Sequence, residues 1–383
     1  MRSNIVAREI LFALLVLYRL LNCVFTEGSV FSQASIVLII LISFVYFFKT
    51  LLLNESFSLF FIAWTVFVVL NIVGFLFNPH FAAGTARDTF KNILGCMLPF
   101  YPFYYFTRKN ILSAKILLRF FMMMIPVLIL QFILNRNNVL IELDTFDTDI
   151  VNNMGYAFVS LMPFVFLIKK RKLLSGLLMG IFILFIIQSA KRGALIAGSL
   201  GMIIYFYYLI RTVDRAKKAY SYVLVFIVFL ALGYFAWKTY SGNEFLLTRL
   251  TMMMDGDTSN RSVLYTTILS EWYNSNNLWH LFFGFGFGGS LILTSGNLAH
   301  CDWLELLASF GFVGIMAYVF LLSTAVGQVF KSDWQADKRL LMMTLTVIWL
   351  FVSLISMWYL SFIYSSFAIL FAYLNGSDKP FLV

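Results

Sequence analysis

Long stretches without a single charge dominate this chain: SIVLIILISFVYFF (Ser35–Phe48), SLFFIAWTVFVVLNIVGFLF (Ser58–Phe77) and FVGIMAYVFLLSTAVGQVF (Phe312–Phe330) are three of many. A helix rises about 1.5 Å per residue, so roughly 20 such residues cross the ~30 Å hydrocarbon layer of a bilayer. Lipid offers the backbone no hydrogen bonds, which leaves helices or closed barrels as spanning structures. The length of these runs selects helices. The sequence therefore predicts an all-α, polytopic integral membrane protein. Spans are expected near 9–25, 33–49, 57–77, 89–106, 112–134, 154–168, 173–189, 193–210, 219–237, 302–330, 339–356 and 358–375, about 12 crossings. Residues 1–383 then form a single transmembrane domain, and 238–301 form one large extracytoplasmic loop between the ninth and tenth spans.

Only 12% of residues are charged, yet the net charge is +10. In a membrane protein such an excess marks cytoplasmic loops, so it does not argue for nucleic acid. Taking the N-terminus as cytoplasmic, alternate connections hold Lys49; Arg108 and Lys109; Lys169 to Lys172; Arg211, Arg215, Lys217 and Lys218; and Lys331, Lys338 and Arg339. All the basic clusters then share one side. Both termini are expected in the cytoplasm of a cell whose plasma membrane holds the chain. The first run follows Arg2 and Arg8 as a signal peptide would, but Arg19 interrupts it and no small-residue cleavage site follows, so it reads as a retained helix. Cys23, Cys96 and Cys301 make no disulfide framework or zinc pattern.

Several cations defy this sidedness. Arg87, Lys91, Arg136, Lys191, Arg192, Lys238, Arg249 and Arg261 all fall on the outer side or its interface. Lys191 and Arg192 begin an apolar run lined with Gly193, Ala194, Ala197, Gly198 and Gly201. They suit two roles, as headgroup anchors at a helix end or as a diphosphate clamp, since guanidinium groups and helix N-termini both bind phosphate oxygens. Arg261 opens SVLYTTILSEWY, whose apolar residues recur at helical spacing, and the glycines of GFGFGG (Gly284–Gly289) then mark tight turns. Arg249 and Arg87 fit a plain surface role better. The acidic segment with Glu142, Asp144, Asp147 and Asp149 suits sugar hydroxyls or simple solvation.

His300 stands at the outer mouth of the tenth span, in AHCDWLELL. A neutral imidazole takes a proton from a hydroxyl near neutral pH. Glu305 lies near enough to orient it, and Asp302 suits a helix cap or first-turn acid. His300, Cys301 and Asp302 are consecutive, so their side chains diverge and no metal site is expected; His80 and His280 complete none.

Three blocks resemble the O-antigen ligase and O-antigen polymerase superfamily of membrane glycosyltransferases. SAKRGALIAG is similar to its Ser-x-x-Arg-Gly entry to a membrane helix. SNRSVLYTTILSEW followed by LFFGFGFGGS resembles its loop arginine, amphipathic helix and glycine turn. AHCDWLELLASFGFVGIMAYV resembles its histidine-led signature of spaced leucines and a Gly-x-x-Gly pair. NNMGYAFVSLMPF is a fourth, weaker match, and together these cover about the last three fifths of the chain in the expected order. Cys301 and Ser309 depart from the pattern, standing where a smaller polar or amide residue and an acidic residue are commoner.

The resemblance implies a polymerase that joins undecaprenyl-diphosphate-linked repeat units into a surface polysaccharide in a bacterial inner membrane, with its site on the extracytoplasmic face. Arg192 and Arg261 would engage the lipid diphosphate, His300 would activate the acceptor hydroxyl, and Lys191, Arg249, Arg87 and Glu305 would assist substrate binding. No cofactor or metal is implied. Partners would be the lipid-linked donor and acceptor glycans, the bilayer, a flippase and a chain-length regulator. Two other readings stand beside it: a ligase that moves finished polymer to lipid A-core, and a transporter or flippase of lipid-linked glycans. The transporter expects ionisable groups near mid-membrane, where only Arg19, Lys115 and Arg119 approach.

Overall fold

A computed structural model of the chain describes residues 2–25, 29–53, 56–77, 84–143, 153–169, 171–189, 191–212, 218–242, 251, 261–331 and 333–377. All regular structure among them is helical. The first half builds α1 (Arg2–Val24), α2 (Val30–Leu51), α3 (Leu59–Leu76), α4 (Gly84–Met97), α5 (Phe100–Arg108), α6 (Ala114–Leu143) and α7 (Met154–Leu161), which tightens into a 3-10 turn at Met162–Leu167. Next come α8 (Lys172–Gln188), α9 (Arg192–Thr212) and α10 (Lys218–Ser241). Three short helices follow, α11 (Arg261–Tyr273), α12 (Leu278–Phe283) and α13 (Gly289–Leu293). The chain closes with α14 (Asp302–Val329), α15 (Ala336–Ile355), a 3-10 turn at Phe362–Tyr364 and α16 (Ser365–Gly376).

Six helices among the described residues are long and apolar enough to cross a membrane: α2, α3, the Ala114–Asn135 part of α6, α9, α14 and α15. Met154–Leu167, Lys172–Gln188, Val225–Thr239 and Phe362–Gly376 are apolar but shorter. The expected span 89–106 is two helices, because Pro99 and Pro102 end α4 and open α5, where a missing N–H is tolerated only in a first turn. Likewise, the expected span 358–375 is helical only from its 3-10 turn onward. Serine caps start α2 and α3: Ser29 Oγ accepts from the Ser32 N–H and Ser58 Oγ from the Phe61 N–H.

Trp64, Trp349, Trp358, Tyr318, Tyr359 and Phe67 form a fully buried aromatic centre, with Trp349 stacked on Trp358 at 4.5 Å. Outward faces are apolar as well; α10 alone exposes Phe226, Leu230, Tyr234 and Trp237, a surface suited to lipid. At one end of the bundle, Lys169 pairs with Asp337 at 2.5 Å, Lys172 Nζ donates to Thr212 O at 2.5 Å, and Lys338 Nζ to Ser377 O at 2.8 Å. About 30 Å away, at the far end of the 20-residue α15, lies the candidate site.

Candidate active site

The starts of α7, α9, α11 and α14 meet the last turn of α15. Small residues permit the approach: a Cβ on Gly193 would strike the Tyr156 hydroxyl of α7 and sit 3.2 Å from Ile355 Cδ1, and one on Gly155 would strike Ser189. Arg261, the first residue of α11, donates from Nη1 to Ile355 O at 2.7 Å. That carbonyl is one a helix leaves unpaired at its C-terminus, at the negative end of the macrodipole. The start of α14 is tied to the same turn, for Cys301 Sγ donates to Ser353 O at 3.6 Å and Trp303 Nε1 to Ser353 Oγ at 3.2 Å.

His300 lies just before the residue that caps α14, with φ at +54°. A non-glycine residue rarely adopts the left-handed region, and such strain persists only where neighbours over-determine it, often at functional sites. The ring is accessible, yet desolvation by its surroundings pushes the pKa below the ordinary histidine value, and the charges of Arg261 and then Lys191 push it further the same way. All three effects keep the imidazole neutral, as a proton acceptor has to be. The phenol of Tyr265, one turn along α11, is raised by burial first; Cys301 adds to this, while Arg261 opposes it by charge and by a hydrogen bond. Arg261 thus touches α15 and Tyr265 and acts on His300.

Of the predicted site residues, His300, Arg261 and Lys191 come together here. Arg192 occupies the first position of α9, half-buried beside Lys191, but the second cation acting on His300 is Lys191. Arg87 is exposed on α4, whose Ala86 faces Gly288 and whose Phe90 stacks on Phe75 at 3.8 Å, so it stands near the glycine turn. Arg249 lies outside the described residues, as do Asp144, Asp147, Asp149 and His80. His280 meets Ser275 Oγ at 3.0 Å and packs on Phe285, a local structural role.

Glu305 corrects its expected role. It is 1% exposed and does not orient the imidazole directly; one carboxylate oxygen accepts the backbone N–H of Ala299 and the other the Ser290 hydroxyl at 2.6 Å. It therefore fixes the residue before His300 and links it to α13. Asp302 is likewise more than a first-turn acid. Its carboxylate accepts from the Tyr318 hydroxyl at 2.7 Å and from Trp358 N at 2.9 Å, while Trp349 Nε1 donates to Tyr318 at 2.7 Å. No side chain caps the helix.

The glycine turn has a mechanical purpose. Gly284, Gly286 and Gly288 all have positive φ, and α14 is itself broken at Gly311, φ +57° and ψ −145°. The two irregularities dock backbone to backbone: a Cβ on Gly311 would lie 2.5 Å from Leu281 O, and one on Gly284 2.5 Å from Phe310 N. Phe285 N donates to Ala308 O at 2.7 Å, and Gly289 N to Ser309 Oγ at 3.3 Å, which gives Ser309 a place an acid would not need to fill. The residues the sequence reading missed, Tyr156, Tyr265 and Ser290, carried only the signal of lying within the matched blocks.

No group of three or more histidine, cysteine, aspartate or glutamate side chains suited to a metal occurs among the described residues. No match to this chain was found among protein-family models, curated proteins or solved structures.

Proposed function

We propose that this chain is a membrane glycosyltransferase that polymerises undecaprenyl-diphosphate-linked repeat units, working at the bundle end that carries His300. The observation that supports it best is the meeting of His300, Arg261 and Lys191 at the end opposite the basic clusters. Positive-inside sidedness would make that end extracytoplasmic.

In this reading the lipid diphosphate is the leaving group, and cations stabilise its developing charge. Arg261 is held by Ile355 O, so it is preorganised rather than mobile, and Lys191 with Arg192 supplies further positive charge at the start of α9. His300 accepts the proton of the incoming sugar hydroxyl as that oxygen attacks the anomeric carbon. The C–O bond to the diphosphate breaks on the opposite side, giving inversion. Glu305 and Ser290 hold the loop that aims the imidazole.

The break in α14 bears on the transporter reading, which favours interrupted helices. Here the break is filled by backbone: Leu281 O, Gly284 N and Phe282 C lie nearest a Cβ placed on Gly311, and Phe285 N donates to Ala308 O. The test is elongation of lipid-linked repeat units by purified protein, wild type against His300→Ala, Arg261→Ala and Arg192→Ala. Normal elongation by all three, correctly inserted, sinks the proposal. A deletion strain separates polymerase from ligase: one repeat left on the core indicates the former, none the latter.

A further inference from the structure

One face of the short helix α12 is apolar and bare. Its sequence is LWHLFF, and Leu278, Trp279, Phe282 and Phe283 are all exposed, Leu278 by 71% and Trp279 by 65%. At about 100° per residue these four share one side of the helix, and Phe283 packs on Trp279 with ring centroids 4.3 Å apart. The opposite side is occupied: His280 meets Ser275 and Phe285, and Leu281 O faces Gly311. A contiguous apolar face left in water is costly, and on a folded protein it marks a contact surface.

Two features identify what covers it. The patch is continuous with the outward face of α14, one of the helices long and apolar enough to cross a membrane. Phe312, Met316, Val319 and Val326 form an exposed stripe at helical spacing along α14. At the top of this stripe, the Phe312 ring lies 5.2 Å from that of Trp272 and 6.1 Å from that of Phe282. The lipid-facing surface of α14 thus runs without interruption onto the last turn of α11 and onto α12.

The second feature is depth. α3 has 18 residues, about 27 Å, close to the ~30 Å of a bilayer's hydrocarbon layer. It starts at the lysine end of the bundle, where Ser58 Oγ donates to Asn375 Oδ1 at 3.4 Å and Lys338 binds the nearby Ser377 carbonyl. Near its other end a Cβ on Gly74 would strike the Phe310 ring, so the break at Gly311 is level with the finish of α3. The part of α14 beyond the break, to Val329, equals α3 in length. α12 packs on that break and therefore lies at the edge of the hydrocarbon, the level that tryptophan favours in membrane proteins. Asn274, Asn276 and Asn277, exposed just before it, suit the headgroup side.

We propose that α12 is an in-plane interfacial helix whose Leu278, Trp279, Phe282 and Phe283 side chains insert between lipids of the leaflet at the His300 end. Helices of this kind sink about 5–10 Å into the boundary of headgroups and acyl chains. The loop expected at 238–301 is then partly membrane surface rather than water-exposed throughout. The anchor connects to the site, because Phe285 N and Gly289 N bond to Ala308 and Ser309 of α14, and α13 holds Glu305 through Ser290. This contact requires a bilayer and does not depend on the glycosyl-transfer reaction.

The test is spin-label accessibility of the full chain in vesicles of phosphatidylcholine and phosphatidylglycerol. Labels are placed singly through Trp279→Cys, Phe282→Cys, Asn276→Cys and Met316→Cys in a Cys23→Ser background, since Cys96 and Cys301 are buried. Labels at 279 and 282 should favour oxygen over a water-soluble nickel chelate several-fold more than the label at 276, and less than the label at 316, which lies deeper. A ratio at 279 and 282 equal to that at 276 overturns the proposal. Shielding of both positions from oxygen and nickel alike overturns it too, since protein rather than lipid would then cover this face. In unlabelled protein, lipids brominated close to the headgroup should quench wild-type tryptophan fluorescence more than that of Trp279→Phe, which covers the case of a labelled variant that inserts poorly. Equal quenching of the two also overturns it.

Discussion

Glu305 offers the sharpest test of how the site is held, because its two replacements separate charge from connectivity. Its carboxylate accepts two hydrogen bonds at 1% exposure, from the Ala299 N–H and from the Ser290 hydroxyl. In Glu305→Gln the amide oxygen can keep the Ala299 N–H while the NH₂ faces Ser290, whose hydroxyl rotates and accepts instead. Only the charge-assisted excess is lost, about 1–2 kcal/mol. Glu305→Ala leaves the Ala299 N–H buried without a partner and removes both bonds, so about 3–5 kcal/mol is expected. That exceeds the ~1–3 kcal/mol stored in a left-handed non-glycine residue, so His300 at φ +54° should relax toward an ordinary conformation. Elongation should then fall much further in Glu305→Ala than in Glu305→Gln. The assays are denaturant unfolding in detergent micelles and elongation of lipid-linked repeats, with Ser290→Ala completing a double-mutant cycle. Equal damage from Gln and Ala, or a wild-type melt for Ala, would refute the reasoning.

The pKa of His300 is pushed below 6.5, so the acid limb of the pH–rate profile should lie below that value, and Lys191→Met should move it upward by removing one of the charges responsible. The sign for stability follows: with the folded pKa depressed, the neutral imidazole's contribution is complete above about 6.5 and is lost as pH falls through the folded value, measurable as a melting temperature that drops with acidification less steeply in His300→Gln. Gly311→Ala puts a Cβ 2.5 Å from Leu281 O at φ +57°, and a loss of about 1–3 kcal/mol or more with release of the glycine turn should appear as faster proteolysis near residues 284–289. Asp302→Asn turns one acceptor into a donor against the Tyr318 hydroxyl or Trp358 N–H, costing about 1.5–3 kcal/mol, and an unchanged melt would refute this role for Asp302.

What the sequence made legible follows from which interactions are local. Apolar runs and the sidedness of Lys169, Lys172, Lys331 and Lys338 depend on composition along a segment, and the helices α2, α3, α9, α14 and α15 correspond to such runs. The span expected at 89–106 failed for a reason composition hides: Pro99 and Pro102 are compatible with a helix start as well as a kink, and only tertiary packing of Phe100, Tyr101 and Tyr104 chooses the former. At the site, His300 and Arg261 stood out because a polar group at the edge of an apolar helix needs a reason for being there. Glu305 also stood out, but its partner is a backbone N–H at Ala299, and a backbone donor has no residue type to announce it. The same limit explains Arg19. Read along the chain it is a stray charge without an acid nearby; only the fold brings side chains of α6, α7 and α16 around it. Arg261, by contrast, is satisfied by the C-terminal carbonyl of a distant helix, α15.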